Sequence, residues 1–181
     1  MKKFWNKIME MNIIKLYLLT IVLHFVWNFT IGATLYASGV EFSQHVASSS
    51  DLMNSFLFTA TLVPMCAFIE ELMFRWAPMV LFFLGLGILA KKSKIEDEKM
   101  GKIEKYGVAS IVIISSIIFG LVHGNVFNIL IQGVSGVIFS MFYLRTLYHQ
   151  RQAGKVDKLQ KMPVLSSTLY HTLSNVLLMV L

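Results

Sequence analysis

The chain has 181 residues, of which 56% are hydrophobic and only 14% charged, with a formal net charge of +6. That scarcity of charge, with a mean hydropathy of +0.66, excludes an ordinary soluble domain and points to an all-α, polytopic integral membrane helix bundle. The single cysteine excludes an internal disulfide and any cysteine-rich metal centre. Nor does the positive charge imply nucleic acid as a partner. The basic residues fall in three blocks between apolar runs, which is how membrane topology is written.

Residues 1–15 carry Lys2, Lys3, Lys7 and Lys15 against Glu10, and read as the cytoplasmic, interfacial start of a multi-pass protein of a prokaryotic cell membrane. The apolar run 13–37 is not followed by a small-residue cleavage pattern and reads as a retained span. Trp5, Tyr17, Trp27 and Tyr36 are its interface or packing aromatics. Segment 38–51 has no Lys or Arg, and Ser48-Ser49-Ser50-Asp51 predicts a helix N-cap. A mostly apolar stretch, 52–90, follows. Segment 91–105, with six lysines among Glu96, Asp97, Glu98 and Glu104, reads as a solvated loop. Two spans, 106–123 and 127–148, turn near Gly124-Asn125; a second basic loop covers 145–161. Pro163 suits the first turn of a last helix running to Leu181. The total is about five to six transmembrane helices or half-helices in a single membrane domain, 1–181, in which 1–51 is the interfacial start and first span.

The positive-inside rule places the N-terminus, 91–105 and 145–161 on the cytoplasmic side, and 38–51 and 124–128 outside. Stretch 52–90 must then cross an odd number of times. As one helix it would be about 58 Å long, nearly twice the hydrocarbon thickness. The expectation is a bend, an interfacial portion or a re-entry, with Pro64 and Pro78 as break points.

Within that stretch lies Ala67-Phe68-Ile69-Glu70-Glu71-Leu72-Met73-Phe74-Arg75. A charge at the bilayer centre costs at least several kcal/mol, so these three groups need a reason to be there. On a helix Glu71 and Arg75 share a face and can neutralise one another. Glu70 is rotated about 100° away and is left over. A carboxylate without its own counter-ion in low dielectric suits a general base. Two further polar motifs sit in apolar helices: Phe119-Gly-Leu-Val-His123, and His171-Thr-Leu-Ser-Asn175, whose spacing stacks an imidazole and an amide on one face. Each alone could be interhelical polar glue. A Glu, two His and an Asn on separate helices are not well explained that way.

The motifs Glu70-Glu71-x-x-x-Arg75, Phe119-x-x-x-His123 and His171-x-x-x-Asn175, in that order, resemble those of the CPBP family (CAAX proteases and bacteriocin-processing enzymes, also called Abi), relatives of the Ras-converting CAAX prenyl proteases. The resemblance covers roughly 63–175 and makes 52–181 the catalytic core. It departs from the family pattern at Trp76, where a small residue is expected, and in the charged insert 91–105 and the long basic loop before the last helix. The resemblance implies an intramembrane endopeptidase acting on a peptide or lipidated peptide. In it Glu70 activates water, assisted by His123. His171 and Asn175 orient the substrate or stabilise the oxyanion, and Glu71, Arg75 and Phe119 support the site. No metal is obligatory; if a divalent metal such as zinc binds, Glu70, His123 and His171 are its ligands. The alternatives are a non-catalytic peptide-binding or bacteriocin self-immunity membrane protein, and a small proton-coupled transporter.

A shared site demands that Glu70, His123 and His171 lie within about 10 Å of one another. With His123 late in its helix and His171 early in its own, that requires shifted helix starts or a dip of the 149–165 loop into the membrane. His24-x-x-x-Asn28 repeats the third motif's spacing outside the matched region and reads as helix–helix hydrogen bonding. Gly133, Gly136 and Ser140, with Gln132, suggest a close-packed face, Cys66 reads as packing, and Arg145, Tyr148, His149 and Arg151 read as an interfacial anchor.

Overall fold

A computed structural model describes residues 7–40, 56–93, 95–155 and 159–180; the cap expected at 48–51 lies outside the described residues. The fold is all-helical. Helix α1 spans Ile13–Ala37, α2 Phe56–Glu71, α3 Ala77–Lys92, α4 Asp97–Val122, α5 Val134–Gln152 and α6 Lys161–Val180. One π turn, Leu72–Trp76, joins α2 to α3, and another, Ile129–Gly133, leads into α5. Among the described residues, four helical stretches are long and apolar enough to cross a membrane: Ile13–Ala37, Ala60–Lys92, Asp97–Val122 and Ile129–Gln152. Their outward faces carry bare apolar side chains, such as Ile14, Val22 and Phe29 on α1 and Ile113, Ile114 and Ile118 on α4. Water would not tolerate so continuous a surface, whereas lipid covers it at no cost. The chain is an integral membrane protein.

Stretch 52–90 does not break at either proline. Pro64 sits inside α2, and helical structure continues through Ala60–Lys92, about 50 Å at 1.5 Å per residue. Pro78 lacks an N–H, and its ring crowds the carbonyl four residues back. The π turn just before it absorbs that conflict: the Ala77 N–H bonds the Leu72 carbonyl, five residues back. The excess length appears at the lysine-rich end. There α4 starts at Asp97, so most of the segment expected to be a solvated loop is helix instead. Asp97 and Glu98 favour the positive end of its dipole, and Lys102 pairs with Glu98 at 2.6 Å. Likewise α5 runs to Gln152, well into the segment expected to be the second basic loop. Pro163 falls in the first turn of α6 as expected.

The three basic segments meet at one end of the bundle. The Arg145 guanidinium donates to the Met11 carbonyl at 2.6 and 3.2 Å, His149 Nε2 lies 2.8 Å from the Met9 carbonyl, and Arg151 pairs with Glu104 and lies 4.4 Å over the Phe83 ring. Above that layer, Met79, Tyr143, Leu147 and Val164 form one buried cluster, and Leu16, Phe119, Phe139, Phe142 and Tyr170 belong to a second. Helices α4 and α5 come together because Gly120 has no side chain. A Cβ there would stand 2.6 Å from the Ile129 Cα.

Candidate active site

Glu71 ends α2 and is completely buried, and Arg75, inside the π turn that follows, is 1% exposed. Arg75 Nη1 lies 3.2 Å from Glu71 Oε1. The guanidinium is otherwise wrapped in ring faces, 4.5 Å over Phe119 and 5.3 Å over Phe139. Gly136 on α5 makes room for it: a Cβ there would stand 2.8 Å from Arg75 Nη2 and 3.0 Å from Ser116 Oγ. The close-packed face suggested by Gly133, Gly136 and Ser140 therefore accommodates the buried cation.

The same Glu71 oxygen lies 3.0 Å from His171 Nδ1. A carboxylate only accepts, so Nδ1 carries the proton and donates. Phe139 stacks on the His171 ring at 4.0 Å between centroids, with 22° between planes, and Phe119 meets it edge-on at 5.9 Å. Ring orientation and tautomer are both set, and Nε2 is turned to Glu70 Oε2, 3.5 Å away. His123 repeats the logic on another helix. Its Nδ1 lies 2.7 Å from the Phe119 carbonyl and so also carries the proton. Its ring rests on Phe119 at 4.4 Å, and its Nε2 faces Glu70 Oε1 at 3.9 Å. Asn128 donates to the His123 carbonyl at 2.7 Å, which fixes the turn that ends α4.

Glu70 is the point on which these groups converge. It is 29% exposed, as is His123, while Glu71 and His171 are sealed. Both imidazoles present Nε2 to its carboxylate. Such a cluster of polar atoms is well suited to hold a water, which can hydrogen-bond to two of them. Asn175 lies one turn beyond His171 on α6 and is half-buried. Among the described residues no group of three or more His, Cys, Asp and Glu side chains is arranged to hold a metal ion.

His123, just past the end of α4, and His171, in the middle of α6, both reach Glu70. Helix α4 starts at Asp97, within the lysine-rich segment, and its last turn reaches the site. The end of the loop before α6 is pinned to the bundle. The Trp76 indole N–H donates to the Leu159 carbonyl at 2.6 Å, and the Tyr143 hydroxyl lies 2.6 Å from Gln160 Oε1. Gln160 is buried with φ of 48°, a left-handed corner held by that contact. Trp76, the departure from the family pattern, is what holds the loop here.

Three contributors were not named as such from the sequence. Phe139 packs both Arg75 and His171, and only the small-residue stripe around it hinted at a packed face. Ser135 donates to the Ile131 carbonyl at 2.9 Å and therefore accepts from His24 Nε2 at 2.5 Å. The helix–helix hydrogen bond expected of His24 is present, and it lies beside the site, because His24 meets Phe139 edge-on at 6.1 Å. Trp27 adds a bond to the Leu130 carbonyl at 2.6 Å, within the second π turn.

The structure is thus a polytopic helical membrane protein that gathers a carboxylate, two imidazoles and a sealed Glu–Arg pair inside its bundle. The family model Type II CAAX prenyl endopeptidase Rce1-like matches residues 52–177. The chain belongs to that family, a family of CAAX prenyl endopeptidases, and is an intramembrane peptidase. Neither a curated protein nor a solved structure matches it.

Proposed function

We propose that the chain cleaves a peptide or lipidated peptide with Glu70 as general base. The observation that carries this reading is the division of labour between neighbours. Glu71 is occupied by Arg75 and His171, whereas Glu70 is partly open and faced by two free Nε2 atoms. Water held between Glu70 and His123 gives its proton to the Glu70 carboxylate as its oxygen bonds the scissile carbonyl carbon. The proton passes to His171 Nε2, 3.5 Å from Glu70. Glu71, on the opposite ring nitrogen, stabilises the imidazolium that forms. His171 then donates to the leaving nitrogen as the C–N bond breaks, yielding an amine and a carboxylic acid, which gives up its proton to solvent. The Asn175 amide supplies a donor for the carbonyl oxygen as it gains negative charge.

The test uses the purified full chain and a fluorogenic peptide ending in a farnesylated CAAX tetrapeptide, with an unprenylated peptide beside it. Cleavage that is lost in Glu70→Gln, with thermal stability retained, supports the reading. A protein that cleaves neither peptide, and whose ligand binding survives Glu70→Gln, is a binding or immunity protein instead. Proton flux in liposomes without cleavage would favour the transporter.

A further inference from the structure

Helix α1 lies outside residues 52–177, which the peptidase family model matches, yet it reaches the packing behind His171. Its outward face is bare apolar surface, Val22, Val26 and Phe29 among it. Its inward stripe is Leu16, Thr20 and His24, spaced four apart on one face and all buried. Apolar and small side chains suffice to hold two membrane helices together, so a buried imidazole in that stripe calls for a reason. Nor is His24 needed to dock the helix. Tyr17 meets Tyr170 edge-on at 5.2 Å on one side of it, and the Trp27 indole bonds the Leu130 carbonyl at 2.6 Å on the other.

What His24 adds is a link to the site. The Ser135 hydroxyl commits its hydrogen to the Ile131 carbonyl at 2.9 Å, so its lone pair accepts from His24 Nε2 at 2.5 Å. One turn further along α5 stands Phe139, which the His24 ring meets edge-on at 6.1 Å with 75° between planes. The other contact of Phe139 is with chemistry: it stacks on His171 at 4.0 Å, with 22° between planes. Glu71 holds His171 at Nδ1 only, and one hydrogen bond leaves a ring able to roll about it. The Phe139 face sets the plane, and with it where Nε2 points. A phenyl ring has a broad χ2 of its own, so Phe139 is only as fixed as its neighbours. Phe119 and Tyr170 meet it at 6.2 and 5.8 Å. His24 closes the set, and is itself fixed by Ser135 on the helix that carries Phe139.

We propose that His24 is a positioning residue for the peptidase site: tied to Ser135, it fixes the Phe139 ring and through it the plane of His171, keeping Nε2 aimed at Glu70. This rests on the reading of Glu70 and His171 as the reacting pair. Helix α1 is then a component of the site rather than an added membrane anchor.

The test uses the purified full chain and the fluorogenic farnesylated peptide, with rates taken per folded molecule. His24→Leu is expected to lower kcat about tenfold, less than the ~10²-fold that a 1 Å misplacement can cost, with KM unchanged. His24→Gln, which keeps an N–H donor, should restore most of that rate, and Ser135→Ala, which leaves α1 untouched, should lower it in the same way as His24→Leu. In a Phe139→Leu background, His24→Leu should have no further effect, as for two residues acting along one path. In protein carrying ring-labelled histidine, the His171 imidazole resonances, assigned by their loss in His171→Gln, should shift in His24→Leu and Ser135→Ala and return in His24→Gln. An unchanged kcat in Ser135→Ala and His24→Leu, or losses from His24→Leu and Phe139→Leu that multiply, overturns the proposal. Should His24→Leu not fold, Ser135→Ala decides alone. If the unaltered chain cleaves no peptide, the peptidase reading fails. The resonances still decide the brace, and His171 signals unmoved in Ser135→Ala refute it.

Discussion

Glu70 and Glu71 are adjacent, yet they face two different regions of the bundle. Glu71 points into a sealed interior of Arg75, His171, Phe119 and Phe139, with no exposed surface. Glu70 points to the open side, shared with His123 and the turn that ends α4. One helical step of about 100° separates a sealed charge from a partly open one. The sealed side cannot bind a substrate, and the open side could not hold two histidines in register without it. Buried charge here serves orientation: Glu71 holds the His171 tautomer, and the aromatic pair holds its ring.

The comparison can be broken from either side. The largest expected effect comes from Glu71→Leu, which strands the Arg75 guanidinium among rings. Removing one partner of a buried ion pair costs about 3–5 kcal/mol, read as loss of folded protein in thermal unfolding. The double variant Glu71→Leu with Arg75→Met should recover much of that stability but not activity, because His171 has lost its carboxylate. Should the double variant prove fully active, the sealed pair has no part in orienting the site. On the open side, His123→Ala should lower kcat by about 10²-fold, near the low end for a group assisting proton transfer, with the unfolding temperature unchanged. Gly136→Ala is a subtler intrusion on the sealed side. Its Cβ would press on Arg75 Nη2 and Ser116 Oγ, and overpacking of this kind costs about 1–3 kcal/mol. An unchanged unfolding temperature there would contradict the tight seat described for the guanidinium. The smallest effect is expected from a chelator: dialysis against EDTA should change the rate less than twofold. Loss of activity restored by zinc would reassign Glu70, His123 and His171 as ligands.

Much of this arrangement was legible in the sequence because it depends on short-range periodicity. The i, i+4 spacing of Glu71 and Arg75 predicts their pairing, and the same geometry leaves Glu70 outside it. The lysine blocks likewise mark segments that meet at one end of the bundle. What could not be read arises from contacts between distant segments. The π turn at Leu72–Trp76 lets the helix pass Pro78 unbroken, and no composition signal distinguishes that outcome from a break. Helix ends at Asp97 and Gln152 were missed because charged residues suit a solvated helix as well as a loop. Phe139 reads as one more apolar residue until α5 is laid against the π turn that carries Arg75 and against α6. Similarly, His24 gains its meaning only from Ser135, more than a hundred positions away.

The account turns on which of two neighbouring carboxylates takes the proton from water. The direct measurement is kcat of purified Glu70→Gln, alongside its unfolding temperature, on a peptide the unaltered chain cleaves. The predicted result is a fall of about 10²–10⁴-fold, the range for a lost general base, with unfolding unchanged to within a degree or two. Retention of more than a tenth of the rate in folded Glu70→Gln would contradict it.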